Sequence, residues 1–362
     1  MPHSPNQAVE TARAGPGPIT GAGPPAPIER LPTATTAFVG RTLKGPLNTP
    51  CAIASFAEFQ RQFGGLWQPA TLGYAVEHYF ENGGRQAIIV RVANGARAPT
   101  LHLSAGAGEL LLQGLDPGTR EYLRASVDYD GIAASATDEF NLVLQRLRAP
   151  ASELIEEQEI MRALSVRTDA ERSIERALAR SRLVRLAGPV PRERPDRTWS
   201  QRSGIGVGYC AANTDGADGT DLCDYDLIGD ALSSTGLFAL RGGPRFDLLC
   251  VPPLGRQQDV GMATLLVAAR LCRERQALLI VDPPQSWDSA DAAVTGVTNW
   301  AFQSEHALLY FPRLLAPDRL RGRTELFASS PHSAWTSLLA RRSWLPIACG
   351  SVIVNRRPSS SQ

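Results

Sequence analysis

Apolar residues recur along this chain at two spacings, one typical of strands and one of helices. Near the start, the β-branched and aromatic run TTAFVGRT (35–42) and the short run CAIAS (51–55) predict two strands. Ser55 followed by Glu58 has the sequence of a capping box ahead of FAEFQRQF. We therefore expect a short amphipathic helix there that stops at Gly64.

A second helix and a buried strand follow directly. TLGYAVEHYFENGG (71–84) places apolar side chains at helical spacing and ends in two glycines, the residues that adopt a left-handed stop. QAIIVRVA (86–93) is an uninterrupted apolar and β-branched run. Such a run predicts a strand that is buried on both faces.

The pattern changes within residues 95–200. Short alternating runs such as LHLSAG and FNLVLQRL predict a mostly β insertion. The charged stretches ELIEEQEIMRAL (153–164) and DAERSIERALARS (169–181) predict one or two surface helices. SRLVRLAG (181–188) predicts a strand that returns to the main sheet.

The second half of the chain alternates strands and helices. The runs at 246–253, 277–284 and 306–314 predict strands, and those at 259–276 and 289–304 predict helices. Strands separated by single helices form βαβ units, so the sheet should be parallel with helices on both faces. The predicted fold class is α/β, with a parallel or mixed sheet covered on both faces and a mostly β insertion domain.

These changes of pattern also predict a division of the chain. Its parts are a flexible Pro/Gly-rich arm (1–32), the first part of the α/β core (33–94), the β-rich insertion (95–200), the second part of the core (201–316) and a short C-terminal segment (317–362). Within the last part, AWTSLLARR predicts a helix and IACGSVIV predicts a strand.

Composition excludes several classes of protein. Hydrophobic residues make up 43%, enough for a folded core, and 37 basic against 36 acidic residues give a net charge of +1. With no block of like charge, neither nucleic acid nor an anionic membrane is an expected partner.

The N-terminus lacks an apolar signal core, so we expect synthesis and folding in a cytoplasm. The six scattered cysteines predict small buried apolar side chains in a reducing compartment.

Aspartates crowd the segment 215–230, which raises the question of calcium. An EF-hand loop needs oxygen ligands at its first, third, fifth and twelfth positions and glycine at the sixth. With Asn213 in first place, the fifth residue is Ala217, the sixth is Asp218 and the twelfth is Asp224. The spacing therefore favours turns in which Asp side chains cap backbone amides over a metal site.

Asp282 is the strongest catalytic candidate because it follows a predicted strand, where α/β enzymes place functional groups. Two prolines follow it directly, which favours a turn cap or an ion pair. The chain has no G-x-S-x-G elbow, P-loop or zinc-type histidine pair, and GIGVG (204–208) lacks dinucleotide-site spacing. We predict no catalytic, cofactor or metal site. The alternative is a hydrolase-like enzyme that uses Asp282, Asp247 or the acids of 215–230.

Ordered motifs between residues 33 and 93 carry a family resemblance. A strand ending in A-F-V-G-R, then G-P-x-N-x-P (45–50), S-F-x-E-F-x-x-x-F-G-G (55–65) and A-V-x-x-[FY]-F-x-N-G-G (75–84) precede an I-V-R-V strand. This order resembles the opening of tail sheath proteins of contractile phages and related injection systems. The resemblance weakens through FNLVLQRL, strengthens again at DYDLIGD, FDLLCVPP and RQALLIVDPP, and covers roughly residues 27–315.

The resemblance implies a structural subunit and not an enzyme. Its α/β core would have subtilisin-like topology without protease activity, and it would bind no cofactor. The implied partners are further copies of itself in six-fold rings, the inner tail tube protein, and baseplate and terminator or cap proteins, with no nucleic acid or direct membrane contact. The implied location is a virion tail or an injection-system particle assembled in the cytoplasm.

The chain departs from the family pattern at its termini. Family members start with a T-P-G-V-Y-x-E-E arm and end with a domain containing G-V-W-x-A-P-A, strands that neighbouring subunits exchange, and neither motif is present. Prolines at 24, 25 and 27 would interrupt a β-ladder in the arm. Residues 16–32 and Ile347–Asn355 are both candidates for strand exchange. We predict that the C-terminal strand contributes more to assembly, through Ile347, Val352, Ile353 and Val354. An alternative within the structural class is a sheath-like cap, baseplate or collar adaptor.

Overall fold

A seven-stranded sheet combines strands from both halves of the chain. The computed structural model describes residues 35–150, 152–198, 208–213, 215–329 and 353–354. In spatial order the strands are β16 (Ile353–Val354), β13 (Ala307–Phe311), β12 (Leu278–Val281), β11 (Leu248–Cys250), β1 (Thr36–Gly40), β3 (Ala87–Arg91) and β2 (Cys51–Ile53). Neighbouring strands are parallel except β2, which runs antiparallel to β3.

Helices cover both faces of this sheet. Successive residues of each strand point to opposite faces, and both faces carry apolar side chains that the helices bury. Helices α1 (Phe56–Phe63) and α2 (Leu72–Glu81) pack on one face, against side chains that include Phe38 and Ile89. Helices α4 (Asp224–Ile228) and α5 (Met262–Arg275) pack on the other, against their sequence neighbours Val39 and Val90. A 3-10 helix (Gly236–Leu240) joins that second layer, and α6 (Ala290–Asn299) connects β12 to β13. The predicted α/β class, with a mixed sheet covered on both faces, is confirmed.

The predicted start of α1 is confirmed, with one difference. The Ser55 hydroxyl accepts from the Glu58 N–H at 3.2 Å, as in a capping box. The Glu58 carboxylate reaches back one residue further than in the standard box, to the N–H of Ala54 at 2.7 Å. The helix stops at Gly64, whose φ of 89° is the left-handed conformation expected there.

Two further sheets share a core of their own and come mostly from the predicted insertion (95–200), with one strand, Cys210–Ala211, from beyond it. One contains β4 (Thr100–Ala105), β5 (Gly108–Gly114) and β9 (Val184–Leu186). The other contains β10 (Cys210–Ala211), β6 (Tyr122–Asp128), β7 (Glu139–Leu147) and β8 (Ile155–Ser165). Both sheets and the short helix α3 (Ile174–Leu178) bury a shared apolar cluster that includes Leu112, Phe140 and Leu142.

Two predictions for this insertion are wrong. ELIEEQEIMRAL forms strand β8 and not a helix, because its glutamates find partners across the strand: Arg146 of β7 lies opposite Glu157 and donates to it at 3.1 Å. SRLVRLAG supplies β9, which pairs with β5 inside the insertion and not with the main sheet. Leu183 and Val184 of that run are buried in the insertion core, and this burial determines that β9 pairs within the insertion.

A hairpin near the end of the described chain was not predicted. Strands β14 (Leu314–Asp318) and β15 (Arg323–Phe327) pair antiparallel. Part of the predicted C-terminal strand is present as β16, which pairs parallel with β13. The predicted arm (1–32), the predicted helix AWTSLLARR, and Ile347 and Val352 lie outside the described residues.

Candidate functional site

The carboxyl edge of the parallel sheet is where open α/β proteins bind ligands. In this chain the β14–β15 hairpin packs there beside helix α2. The Phe327 ring lies 5.3 Å from the Tyr74 ring and 5.0 Å from the His78 ring. Thr71, at the start of α2, donates from its hydroxyl to the carbonyl of Pro253, just beyond β11. The hairpin therefore covers the part of the sheet edge at which such proteins bind their ligands.

Arg256 fixes the hairpin to this edge. Its Nη2 lies 2.5 Å from Oδ2 of the buried Asp318, and its Nη1 donates to Glu325. The guanidinium also lies 4.6 Å above the Tyr74 ring, and the Tyr74 hydroxyl donates to Asp318 at 3.2 Å. Burial, followed by the nearby Asp318 charge, raises the pKa of Tyr74. The Tyr74 hydroxyl and the Asp318 carboxylate thus have partners within the protein, whereas Nε of Arg256 is buried without a hydrogen bond.

The cavity between the hairpin and α2 at this edge is small. The cavity lined by Thr71, Tyr74, Arg256, Arg313 and Phe327, among others, has a volume of about 30 Å³. A small-molecule site typically needs roughly 300–1,000 Å³. The cavity can hold a few waters but no substrate of ordinary size.

The acids of the hydrolase alternative lie at different edges of the sheet. Asp282 directly follows β12 and is half-buried at the carboxyl edge. Asp247 precedes β11, so it lies at the amino edge, where its carboxylate accepts from the Thr35 N–H at 3.0 Å. With strands that rise roughly 3.3 Å per residue, about 10 Å or more separates the two edges. Asp282 and Asp247 are therefore not an acid–base pair.

The thiol near Asp282 is poorly suited to nucleophilic attack. Cys250 of β11 is fully buried, and burial, with a further contribution from the Asp282 charge, raises its thiol pKa well above the usual value. Burial likewise raises the pKa of Cys272 to about 12. Since the thiolate is the reactive form, these thiols are inert at neutral pH. The prediction of buried cysteines holds for these two, whereas Cys223 is exposed.

The aspartates of segment 215–230 serve separate structural bonds. Their partners are the N–H and hydroxyl of Thr100 for Asp215, those of Thr119 for Asp218, the guanidinium of Arg41 for Asp221, the N–H of Gly261 and hydroxyl of Thr264 for Asp224, the N–H of Cys223 for Asp226, and the N–H of Ser233 for Asp230. Asp226 and Asp230 cap nearby backbone amides, as their spacing predicts. Asp215, Asp218 and Asp224 accept from backbone N–H groups that are distant in sequence, and Asp221 instead forms an ion pair with Arg41. Across the described ranges, no three acidic, His or Cys side chains are grouped so that they could hold a metal ion.

The structure brings together one hydroxyl–imidazole–carboxylate set that sequence analysis missed. Thr100 Oγ1 lies 3.3 Å from His102 Nε2, and His102 Nδ1 lies 2.8 Å from Glu109 Oε2. The Thr100 hydroxyl, however, donates to Asp215 at 2.7 Å. Its proton therefore points away from the imidazole that would have to remove it. The alternation of β4 places Thr100 and His102 on one face, and that was the only signal in the sequence.

Charged side chains are buried where the insertion meets the core. Arg91 of β3 is fully buried, donates to the Gly45 carbonyl at 2.5 Å, and has its pKa lowered to about 10 by burial. Arg146 of β7 binds Asp116 at 3.0 Å and Glu121 at 2.5 Å. Both carboxylates also interact electrostatically with Arg91, so one charge network spans the two parts of the chain.

The candidate assembly strand lies at an edge of the main sheet. β16 pairs with β13 at two positions, Tyr310 with Ile353 and Phe311 with Val354. The Ser329 hydroxyl donates to the carbonyl of the same Tyr310 at 2.8 Å. Ser329 and β16 therefore both contact Tyr310 of β13. None of the helices in the described residues is long and apolar enough to span a membrane.

The fold is similar to that of solved tail sheath proteins. No protein-family model matches the sequence, and no curated protein matches it. The structure is similar to that of the sheath tail protein from Listeria innocua, with 12% identity and a TM-score of 0.50 over 86% of this chain and 57% of that one. The sheath tail protein from Desulfitobacterium hafniense is also 12% identical, with a TM-score of 0.43 over 84% of this chain and 58% of that one.

The resemblance to tail sheath proteins predicted from the motifs is confirmed at the level of the fold. The chain spans less than two thirds of the length of either sheath tail protein. The likeness covers both the α/β core and the β insertion, because 86% of the chain is included in the first comparison.

Proposed function

We propose that this chain is a structural subunit of the contractile sheath around the inner tube of a phage tail or a related injection system. The observation that carries the proposal is the shared fold with a sheath tail protein over 86% of the chain. Fold alone does not assign function. The ordered motifs at 33–93 and 224–314 supply independent support, because they were recognised from the sequence.

The carboxyl edge of the sheet supports a structural role over an enzymatic one. Arg256, Asp318 and Phe327 fill the place where an α/β enzyme would bind its substrate. The proposal includes the subtilisin-like topology that the resemblance implies for the core, without its catalytic groups. The expected partners are further copies in stacked six-fold rings, the inner tube protein, and baseplate and terminator or cap proteins, and the expected location is the tail particle after cytoplasmic assembly.

The C-terminal strand is the proposed contact between copies. A strand held by two residue pairs at a sheet edge can be exchanged for that of a neighbour, because the edge of β13 offers the same N–H and C=O groups to either. Deletion of residues 345–362 should leave the circular dichroism of the core nearly unchanged and abolish rings and tubes. Assembly of the truncated chain at full-length levels would move the contact to the core faces and favour a cap or adaptor.

The direct test is electron microscopy of the full chain expressed with its neighbouring tube gene. A striated cylinder is the expected result. Single rings at a tube end would instead support the cap or adaptor alternative, and a chain that never associates with itself or with the tube would overturn the proposal.

The enzymatic alternative has a separate test. The purified chain should show no hydrolysis of ester, peptide or phosphate substrates, and Asp282→Ala should alter its stability at most. A robust activity that Asp282→Ala abolishes without unfolding the protein would replace the structural proposal.

A further inference from the structure

The α/β core and the insertion, taken with β10, each have an apolar centre of their own. The core buries residues such as Val39 and Ile89 on the two faces of its sheet, and the insertion buries Leu112 and Phe140 between its sheets. In the described part of the chain, no apolar cluster contains side chains of both parts. Parts of a chain that meet through a polar surface are expected to move relative to each other, whereas a large apolar interface prevents such motion.

The chain crosses between the two parts twice, and the two crossings pair with each other. Residues 94–97 lead out of the core after β3, and residues 217–220 lead back to it before α4. We call these two segments the connecting ribbon. Their antiparallel bridges, with N–H to carbonyl hydrogen bonds of 2.9 Å, join Asn94 to Thr220 and Arg97 to Ala217. A ladder of two strands is only marginally stable by itself, so the ribbon can twist without exposing either apolar centre.

Beside the connecting ribbon, one ion pair among the described residues joins a side chain of the core directly to one of the insertion. Lys44, the single lysine of the chain, lies in the loop after β1, and its Nζ is 2.9 Å from Oε2 of Glu156 in β8. The two side chains are only 13% and 20% exposed. Because the pair is mostly covered, salt and water screen it less than they screen a surface pair.

The backbone positions both partners of this pair. The Lys44 N–H donates to the carbonyl of Phe63, at the end of α1, at 3.2 Å. Ile155 and Glu157 pair with two consecutive residues of β7, so Glu156 between them is the extra residue of a β-bulge. A bulge redirects the side chain that it carries, here the carboxylate that reaches Lys44. Each part of the chain thus holds one partner in place.

The other buried cation at this joint forms no directed bond with the insertion. Arg91 of β3 is attracted by Asp116, but its guanidinium donates to the Gly45 carbonyl of the core, and its Nε and Nη2 have no hydrogen-bond partner. Attraction between charges varies slowly with their distance, so it tolerates a change of orientation. The contact that fixes the orientation is therefore the Lys44–Glu156 pair.

We propose that the core and the insertion are two rigid bodies hinged at the connecting ribbon, and that the Lys44–Glu156 pair is the latch that holds them in one orientation. Opening breaks this pair and leaves both apolar centres covered, so it needs far less free energy than unfolding. In an assembly, the hinge lets the insertion change its orientation while the sheet of the core stays intact. The inference goes beyond the proposed function and concerns a single copy, so it stands whether or not copies assemble.

Hydrogen exchange of the full chain tests the latch. Glu156→Gln should speed exchange of the Ala217 and Thr220 N–H groups, which bond within the ribbon, at least about fivefold, and leave β3 and β7 within about twofold of the wild type. Glu153→Gln is the matched control, because the Glu153 carboxylate pairs with Arg124 inside the insertion. It should change none of these rates.

A cross-link between the same two residues gives the opposite perturbation. A carbodiimide activates the Glu156 carboxylate, and the Lys44 amine then displaces the urea to form an amide. Because the chain has one lysine, peptide mass spectrometry identifies this product. The cross-linked chain should exchange at the ribbon at least about threefold more slowly than the wild type. Glu156→Gln treated with the same reagent is the control and should show no such slowing.

Two results would overturn the inference. If Glu156→Gln leaves exchange at the ribbon unchanged, the pair does not hold the two parts together. If exchange in β3 and β7 rises as much as in the ribbon, the pair stabilises the whole fold and is not a latch. Neither result bears on the proposed function, which electron microscopy of the assembled chain tests separately.

Discussion

Arg256 and Asp318 are joined by an ion pair across 62 residues of sequence, with Nη2 and Oδ2 2.5 Å apart and the Asp318 side chain inaccessible to solvent. Asp318 also accepts from the N–H groups of Leu320 and Arg321, at 2.8 and 3.2 Å, and so shapes the hairpin turn. One carboxylate thus forms the turn and, through Arg256, fixes the hairpin to the carboxyl edge of the sheet. This contact closes the place where an α/β enzyme would carry its chemistry.

Arg256→Met should destabilise the protein by about 3 kcal/mol, because it leaves the Asp318 carboxylate buried without its cation. Arg270→Met removes an exposed ion pair on α5 and should cost less than about 0.5 kcal/mol. Chemical denaturation of both variants measures the difference. Equal effects would show that Arg256 contributes no more than a surface charge.

Asp215 should contribute to stability in a pH-dependent way. Hydrogen bonds from the N–H and hydroxyl of Thr100 lower its pKa from the usual 3.8, so the ionised form is favoured in the folded state. Its contribution is present above the unfolded-state pKa and is lost as the pH falls through the folded-state pKa. Asp215→Asn should therefore be less stable than the wild type at neutral pH, by at most about 1 kcal/mol at this exposed position.

The difference in stability between the wild type and Asp215→Asn should shrink as the pH falls below about 4, because Asp215 of the wild type then becomes protonated and neutral, like the asparagine. Thermal unfolding across an acid series measures it. Asp288→Asn, at an exposed position, is the control and should run parallel to the wild type. If the difference in melting temperature between Asp215→Asn and the wild type stays constant down to acidic pH, the hydrogen bonds from Thr100 do not depend on the ionisation of Asp215.

Calcium should leave the melting temperature unchanged. The carboxylates of 215–230 bond to different N–H, hydroxyl and guanidinium groups, so binding one ion would break several of these bonds. A ligand at 100 times its Kd would stabilise the native state by about 2.7 kcal/mol. Differential scanning fluorimetry with millimolar calcium and with EDTA would detect such a shift. A clear rise with calcium would make this segment a binding site.

Cysteine reactivity should follow burial. Cys223 is exposed and should react with a maleimide in the native protein, whereas Cys250 and Cys272 should react only on unfolding. Peptide-level mass spectrometry resolves each thiol, and Cys223→Ser should remove the rapid phase at that position. Fast native labelling of Cys250 would mean that the main sheet opens readily.

Local sequence was sufficient for most elements of the α/β core, although α4 and the 3-10 helix at Gly236–Leu240 were not predicted. The run at 86–93 is apolar without alternation because β3 is covered by helices on both faces, and the strand is fully buried as predicted. Ser55, Glu58 and Gly64 fix the ends of α1 through bonds between near neighbours. Such signals lie within about ten residues of sequence, so they can be recognised without knowledge of the rest of the chain.

Stretches whose structure depends on distant partners were not predicted. The glutamates of β8 are equally suited to a solvated helix, and only the neighbouring β7, with Arg146, makes them cross-strand partners. The β14–β15 hairpin depends on Arg256 and Tyr74, both far away in sequence. β9 has the composition of a main-sheet strand, and the insertion core decides where it pairs.

By itself, the sequence determined the α/β class, the β-rich character of the middle of the chain, the ends of α1, the capping by Asp226 and Asp230 and the resemblance to tail sheath proteins. The tertiary structure alone decided which sheet each insertion strand joins, that Asp282 and Asp247 lie at different edges, and that Arg256 with Asp318 fills the carboxyl edge. The physical reason is the range of the interactions: periodicity and caps act between near neighbours, whereas burial and ion pairing depend on residues that only folding brings together.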